Sequence, residues 1–480
     1  MTSLLTASAT ELARRIRTGE VTSVEVVSAH IEHARRVNPA VNAIVEDRYD
    51  LAMNEARAAD ALLGRARPAR VPLFHGVPCT IKESFALEGM PNTAGLVARK
   101  GQRASVDATA VSRLRAAGAI PIGVTNVSEL CMWMESDNRV YGRTNNPYDQ
   151  RHTAGGSSGG EGAIIGAGAS PFGLGSDVGG SIRMPAYFNG VFGHKPTGGL
   201  VPGTLQYPNA EGRARRYVTT GPLVRCAEDL MPLLRVIAGP DGIDDCADIT
   251  LGDPATVDLA DLDVLVVESN DFVDPSPALV GALERAAAHL DSVGARVRWG
   301  RFERLRHSLQ IWASMLAAES ATSFSTLLAD GGELDVGREL WLWATGRSEH
   351  TTPAIGLALL ERLPVVHGAA AARWVEMGAE LRRELVDAMG PKGVMLYPPY
   401  ARTVPRHGAP LRGFVHWIYT AILNVLELPA TAAPIGLDPD GLPLGLQIVA
   451  PHGADHRSIA VAVELERAFG GWRPPPDLFP

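Results

Sequence analysis

The segment of residues 155–193 is unlike the rest of the chain, because 13 of its 39 residues are glycine. Only Glu161, Asp177 and Arg183 are charged there, which argues against a flexible, solvated linker. Glycine has no Cβ atom, so one stretch of backbone can pack close to another or to a ligand. We therefore expect this segment to lie inside the fold, beside a site.

The sequence on both sides of this segment alternates between strand and helix patterns. Short apolar runs at 77–81 and 119–124 flank a helical pattern at 108–117, and such an alternation predicts βαβ units and an α/β fold. The same rhythm returns later in the chain. We expect strands at 262–267, 295–299, 394–397 and 444–449, and helices at 277–290 and 456–469.

Two regions are expected to be mainly helical. Apolar residues at helical spacing predict an N-terminal layer over residues 1–64, with Ser23 as the N-cap of one helix. Residues from about 303 to 390 form the second region, and their aromatic side chains could line a substrate channel or fill ordinary helix cores. No repeat or low-complexity linker interrupts the chain, so we expect one domain over residues 1–480. The aromatic residues in question are Trp312, Phe324, Trp341, Trp343 and Trp374.

Composition excludes several classes of function. The net charge is −8, from 45 basic and 53 acidic residues, and no dense Lys/Arg stripe is interleaved with aromatics, which argues against a nucleic-acid partner. The four cysteines show no metal-ligand spacing, so we expect reduced thiols, a cytoplasmic protein and no metal site. Neither a secretory signal nor a membrane anchor is expected. The cysteines are Cys79, Cys131, Cys226 and Cys246.

The run Val178-Gly179-Gly180-Ser181 lies between a predicted strand at 171–175 and a predicted helix at 182–189. Successive backbone N–H groups at such a turn lack helical partners and point toward one spot, which makes an anion cradle. Ser181 at its edge is a candidate nucleophile for acyl transfer, in which such donors stabilise the oxyanion. The simpler alternative is an N-cap serine after a glycine turn.

Two more elements could supply proton transfer. Ser157, within Gly155-Gly156-Ser157-Ser158-Gly159-Gly160, is a candidate relay, because serine between glycines can reach backbone geometry typical of functional sites. Lys82 closes the apolar run at 77–81, and burial would move its pKa from about 10.4 toward neutrality and make it a base. Taken alone, a solvated or salt-bridged lysine is the simpler interpretation.

Two other motifs in the sequence compete with this scheme. Gly156-Ser157-Ser158-Gly159-Gly160 also fits G-x-S-x-G, the nucleophile elbow, in which Ser158 would attack with Asp and His residues from later in the chain. No downstream histidine has a context that singles it out. The run Gly193-His194-Lys195-Pro196-Thr197 has the Lys and Thr of a phosphate-binding loop. It lacks the spaced glycines of the G-x-x-x-x-G-K-[ST] pattern, and Pro196 has no backbone N–H to donate.

Lys82, the Gly155–Gly160 run and Asp177-Val178-Gly179-Gly180-Ser181-Ile182-Arg183 together resemble the amidase signature family. The resemblance spans nearly the whole chain and is densest over residues 82–202. It implies a mixed β-sheet core flanked by helices and a Ser-Ser-Lys triad that needs no cofactor. The implied roles are nucleophile for Ser181, bridging serine after a cis peptide bond for Ser157, general base for Lys82, and oxyanion hole for the N–H groups of Val178, Gly179, Gly180 and Ser181.

Within the family, the motif Gly159-Gly160-Glu161-Gly162 and the sequence around Cys131 look most like type 2 fatty acid amide hydrolases. The resemblance places Cys131 near the substrate, and a buried structural thiol is the alternative. We expect a serine amidohydrolase acting on a small apolar amide, anilide, ester or carbamate, as aryl acylamidases and urethanases do, and a homodimer stays open. The alternatives are an amidotransferase subunit and a non-catalytic anion- or nucleotide-binding protein.

Overall fold

The computed structural model describes residues 2–63, 71–244, 246–247, 249–320, 322–361 and 369–479. Within these ranges the chain forms eighteen α-helices and thirteen β-strands. The helices are α1 Thr2–Thr6, α2 Ala9–Thr18, α3 Ser23–Val41, α4 Tyr49–Leu63, α5 Thr109–Ala116, α6 Gly159–Gly166, α7 Arg183–Phe188, α8 Ala214–Tyr217, α9 Leu230–Ile237, α10 Pro277–Ser292, α11 Ser308–Glu319, α12 Phe324–Leu328, α13 Val336–Ala344, α14 Thr352–Leu360, α15 Ala369–Met389, α16 Ala409–Arg412, α17 Ile418–Val425 and α18 Asp455–Phe469. The strands are β1 Ile44–Asp47, β2 Pro78–Lys82, β3 Ile120–Thr125, β4 Asp137–Asn138, β5 Gly142–Arg143, β6 Phe172–Asp177, β7 Phe192–Lys195, β8 Thr219–Val224, β9 Asp263–Val266, β10 Arg296–Trp299, β11 Gly393–Tyr397, β12 Ala430–Leu437 and β13 Pro443–Val449.

In the described part of the chain, eleven strands form one sheet in the order β1-β3-β2-β6-β8-β7-β12-β13-β11-β9-β10. Strands β3, β2 and β6 are parallel toward one end, and β11, β9 and β10 are parallel at the other. Each neighbouring pair in the central series β6-β8-β7-β12-β13-β11 is antiparallel. The predicted α/β fold with a mixed sheet core flanked by helices is therefore confirmed.

The N-terminal layer is helical except for β1, which pairs antiparallel with β3 and places Ile44 opposite Thr125. The prediction of helices throughout residues 1–64 was wrong at this strand. Four residues between two helices are too few to show the period-2 alternation that marks a strand. The strand adds an edge to the sheet beside the elements that carry the site.

The start of α3 also differs from the prediction. Thr22 is the N-cap: its Oγ1 accepts the Glu25 N–H at 3.1 Å, and the Glu25 carboxylate accepts the Thr22 N–H at 2.7 Å. This reciprocal pair is a capping box. Ser23, predicted as the cap, is the first helical residue, and its hydroxyl donates to the Gly76 carbonyl at 2.9 Å.

Three central strands, β7, β8 and β12, were not predicted. Every residue of β7 and β8 is buried, so neither strand shows the alternation of a half-exposed strand. Gly193, Gly221, Pro222 and Pro434 further weaken the strand signal in their sequences. These strands connect the two parallel ends into one sheet.

The region from about 303 to 390 is mainly helical over its described residues, α11 to α15, as expected. Residues 321 and 362–368 of this region, and residues 1 and 64 of the N-terminal layer, lie outside the described ranges. Trp341 and Trp343 on α13 are exposed, whereas Trp312 on α11 contacts the loop after β6. Across the described ranges, no helix is both long and apolar enough to cross a bilayer.

Candidate active site

Lys82 is the last residue of β2, in which every residue is buried, and its side chain is 0% exposed. Its Nζ donates to Ser157 Oγ at 2.7 Å and to Ser176 Oγ at 2.9 Å. Burial lowers the pKa of Lys82, because the ammonium loses its water, while Cys131 and Asp177 act in the opposite direction. The amine is thus held between two hydroxyls in surroundings that favour its neutral form.

Ser157 follows a cis Gly156–Ser157 peptide bond and is 1% exposed. Its carbonyl accepts the Ser136 hydroxyl at 3.1 Å, and the same Ser136 oxygen accepts the Gly159 N–H at 2.8 Å. Ser136 therefore ties the serine to the first residue of α6. The structure brings Ser157 and Lys82 together, although 75 residues separate them.

Ser158, the candidate of the nucleophile-elbow motif, is fully buried. Its hydroxyl donates to the Ser176 carbonyl at 3.3 Å. His194, one of the downstream histidines, contacts Thr431 and Asp455 instead. Ser158 therefore joins the start of α6 to β6. Among the described residues, no histidine forms a hydrogen bond with its hydroxyl.

Ser181 lies in the turn between β6 and α7 and is 6% exposed. Its carbonyl accepts the Ser158 N–H at 3.2 Å, so the backbones of the two serine segments are joined. Within the described part of the chain, Ser181 Oγ makes no hydrogen bond, including none to Ser157 Oγ. The structure therefore brings the segments of Ser157 and Ser181 together and leaves the Ser181 hydroxyl unpaired.

The backbone amides of the turn divide into two groups. The N–H groups of Val178, Gly179 and Ser181 donate to no acceptor within the described residues. The Gly180 N–H donates to Asp177 Oδ1 at 2.7 Å. Three of the four predicted oxyanion donors are thus unpaired, and the fourth holds the turn closed.

Asp177 organises this turn through its buried carboxylate. It accepts the Ile182 N–H at 3.0 Å and the Arg183 Nε and Nη2 at 3.0 and 2.9 Å. Burial alone would raise the pKa of Asp177, but the Arg183 guanidinium and these donors hold it at about 2. Because the carboxylate already accepts the N–H groups of Ile182 and Arg183 at the start of α7, the unpaired donors belong to the turn itself.

Cys131 lies beside Lys82, with its thiol close enough to raise the lysine's pKa. The backbone reaches this position through left-handed φ angles of 52° at Leu130 and 60° at Cys131. The side chain is 7% exposed. The geometry places Cys131 at the predicted site and leaves its contact with a substrate as a prediction.

Two residues near Lys82 were missed as site residues. Ser176 was not singled out from the sequence, and it contacts Lys82 because β2 and β6 are parallel neighbours. Glu161 is buried, accepts the Thr80 and Thr125 hydroxyls at 2.6 and 2.8 Å, and burial raises its pKa to about 8. Glu161 is one of only two acids in a nearly uncharged, glycine-rich segment, and that was the signal that could have identified it.

Among the described residues, no His, Cys, Asp or Glu side chains form a group of three or more that could hold a metal ion. The groups that the described part of the chain gathers at this site are an amine, the three hydroxyls of Ser157, Ser176 and Ser181, and unpaired backbone amides. That set can transfer a proton, attack a carbonyl carbon and stabilise an oxyanion.

The chain is similar to known proteins over nearly its whole length. The family profile described as Amidase matches residues 25–459. Fatty-acid amide hydrolase 2-B of Danio rerio is 46% identical, covering 98% of this chain and 91% of its own, and an acylamidase of Rhodococcus erythropolis is 29% identical, covering 96% and 94%. The solved structure of 6-aminohexanoate cyclic dimer hydrolase complexed with substrate superposes with a TM-score of 0.80 at 26% identity, covering 99% of this chain and 100% of that one. Because the family match spans most of its length, the chain belongs to the amidase signature family and is an amide hydrolase.

Proposed function

We propose that this protein is a serine amidohydrolase that cleaves small apolar amides, anilides, esters or carbamates through an acyl-enzyme, using Ser181, Ser157 and Lys82. The observation that carries the proposal is the 2.7 Å contact from the buried Lys82 Nζ to Ser157 Oγ. A lysine without water around it loses its proton more readily than an exposed one. We also propose that residues 1–480 act as one catalytic domain.

The first chemical step is acylation. Neutral Lys82 takes the proton of Ser157, Ser157 takes the proton of Ser181, and Ser181 Oγ forms a bond to the substrate carbonyl carbon. Rotation about the Cα–Cβ bond of Ser181 changes the direction of its hydroxyl, which no hydrogen bond restrains within the described residues. Catalytic hydrogen bonds commonly tighten only once a substrate is bound.

The carbonyl oxygen becomes an oxyanion as Ser181 attacks. The unpaired N–H groups of Val178, Gly179 and Ser181 are the donors available to it, and one such donor typically lowers a barrier by about 3 to 4 kcal/mol. The tetrahedral intermediate then breaks its C–N or C–O bond. The leaving group departs with the proton that Lys82 returns through Ser157. Water then attacks the acyl carbon and gives its proton to the Ser157–Lys82 relay, and the relay returns a proton to the Ser181 oxygen as the acyl group leaves.

The substrate class is supported by what surrounds the loop and by the relatives. The Trp312 and Trp417 rings meet edge to face at 4.7 Å next to the glycine turn, and an apolar wall favours apolar acyl or leaving groups. The names of the relatives concern fatty-acid amides and acyl amides. We infer that Cys131, beside Lys82, contacts the substrate.

A panel of p-nitroanilides, aryl esters and aryl carbamates tests the proposal. We expect turnover that a chelator leaves unchanged, and mass spectrometry of the quenched enzyme should find one acyl adduct on Ser181. Ser181→Ala should abolish both turnover and adduct, whereas Ser158→Ala, the matched control, should keep the adduct. Adduct formation that depends on Ser158 would favour the nucleophile-elbow mechanism.

The same panel distinguishes the alternatives. An amidotransferase subunit would show turnover only after a partner chain is added. An anion- or nucleotide-binding protein would bind phosphate compounds without turnover, and either result would contradict the proposal.

A further inference from the structure

An oxyanion hole works only if its N–H groups already point to one place before the reaction. A peptide group is planar and trans, so its C=O and N–H bonds point in opposite directions. Whatever holds the carbonyl of one residue therefore sets the direction of the N–H of the next residue. In a glycine-rich turn this restraint matters most, because glycine backbone rotates more freely than that of other residues.

Three consecutive carbonyls of the turn are each held by a side chain from outside it. Asn424 Nδ2 donates to the Asp177 carbonyl at 2.8 Å, Trp312 Nε1 to the Val178 carbonyl at 2.9 Å, and Thr420 Oγ1 to the Gly179 carbonyl at 2.7 Å. Trp312 lies on α11, and the other two lie on α17. Two helices distant in sequence thus draw the carbonyls toward themselves and direct the following N–H groups away.

The contact from Trp312 differs from that of Thr420 in what it controls, while Asn424 orients another amide that is unpaired within the described ranges, the Val178 N–H. The Val178 carbonyl belongs to the same peptide group as the Gly179 N–H, which donates to no acceptor among the described residues. Thr420, in contrast, orients the Gly180 N–H, which the Asp177 carboxylate already holds. Among the residues that the structure describes, the Gly179 N–H has no such second restraint, and Trp312 is the one donor to the carbonyl of its peptide group.

The position of Trp312 is itself restrained. Its ring meets the Trp417 ring edge to face, and a Cβ atom at Gly179 would lie 2.8 Å from Trp417 Cζ3. The two rings therefore occupy the space beside Gly179 that a larger residue would need. The indole N–H can only donate a hydrogen bond, so in this contact the Val178 carbonyl oxygen is the acceptor and faces the indole.

We propose that Trp312 is a positioning residue that orients the Gly179 N–H for the oxyanion and so couples helix α11 to the catalytic turn. The inference rests on the proposed function, because it needs an oxyanion at this turn. Without the indole donor the peptide group between Val178 and Gly179 is free to rotate. The effect should appear in the transition state, where the oxyanion exists, and not in substrate binding.

Trp312→Phe tests this, since it keeps an aromatic ring and removes the donor. We expect kcat for a p-nitroanilide to fall by roughly 10- to 100-fold with KM within about twofold, which is less than the loss from deleting an oxyanion donor outright. Binding of a trifluoromethyl ketone, whose hemiketal carries the oxyanion, should weaken by a similar factor. Trp472→Phe is the matched control, because its Nε1 also donates to a backbone carbonyl at 2.9 Å, that of Gly166, away from the turn.

A second variant at position 312 tests the same proposal in case Trp312→Phe does not fold. Benzothienylalanine at position 312 replaces the indole N–H by sulfur with almost no change of shape, and it should reproduce the loss in kcat. Equal losses in the Trp312 and Trp472 variants, or a change confined to KM, would overturn the positioning role. Full turnover in Trp312→Phe together with an inactive Ser181→Ala would refute this inference alone, whereas turnover in Ser181→Ala would refute the proposed function.

Discussion

Two strands of the sheet, β2 and β7, each end in a lysine whose side chain has no exposed surface, Lys82 and Lys195. Burial lowers the pKa of both. Lys82 donates to the hydroxyls of Ser157 and Ser176, whereas Lys195 donates to the carbonyl of Pro196 at 2.8 Å. Burial alone therefore does not distinguish the proposed base from a structural lysine, whereas the contact with the hydroxyl of Ser157 does.

The two lysines are connected through one ion pair. The Asp177 carboxylate raises the pKa of both, and the Arg183 guanidinium lowers that of Lys195. Asp177 and Arg183 are themselves joined at 2.9 Å with no exposed side-chain surface. The pair thus orders the glycine turn on one side and influences the pKa of a structural lysine on the other.

The largest expected difference between the two lysines is in rate. Lys82→Met should lower the acylation rate by about 10² to 10⁴, the usual contribution of a general base, while Lys195→Met should stay within about threefold of the wild type. Single-turnover release of p-nitroaniline measures both. Equal losses in the two variants would show that the contact with Ser157 does not give Lys82 a role different from that of Lys195.

The next expected difference is in the dependence of the rate on pH. If neutral Lys82 is the base, acylation rises with pH and levels off above the pKa of Lys82, which burial sets below the usual value of 10.5. Rate profiles from pH 6 to 10 should show this rise in the wild type and in Lys195→Met, and no such rise in Lys82→Met. A rise that persists without Lys82 would assign the proton transfer to another group.

Lys195 should instead affect stability. Burial lowers its pKa to about 7 in the folded state, against a value near 10.5 for an unburied lysine. Between these values the unfolded chain binds the proton more strongly, so this lysine destabilises the fold increasingly as the pH falls from 10 to 7. Calorimetry should find the melting temperature of Lys195→Met rising relative to the wild type by several degrees over that interval. A difference that is constant with pH would contradict a buried, neutral Lys195.

The smallest expected effect belongs to Glu161, whose pKa burial raises to about 8. At pH 7 the carboxyl is mostly protonated, so Glu161→Gln should keep turnover within about threefold of the wild type. Above pH 8 the wild-type carboxylate ionises and raises the pKa of Lys82, which blunts the gain in rate. The variant should therefore level off at a lower pH, and identical profiles would show that Glu161 does not influence the base.

The sequence was informative where structure is encoded locally. The runs that became β2 and β3 are short, apolar and bounded by helical patterns, so both strands were predictable, and Lys82, Ser157 and Ser181 stood out through motifs and the resemblance they carry. Trp312 was named only as one of five aromatic residues of a helical region, and its contact with the turn was not predictable because its carbonyl partner lies 134 residues away. Thr420 and Asn424 are hidden for the same reason. Such long-range donors become visible only when the helices are packed.

The sheet order has a consequence for synthesis on the ribosome. Strands β12 and β13 are synthesised late yet lie in the middle of the sheet. Thr420 and Asn424, the two carbonyl-binding residues on α17, precede these strands by only a few residues. A nascent chain that has already produced both serines and the lysine still lacks the donors that order its turn. We therefore expect hydrolytic activity to arise only near the end of translation, and a translation product that ends before α17 to be inactive.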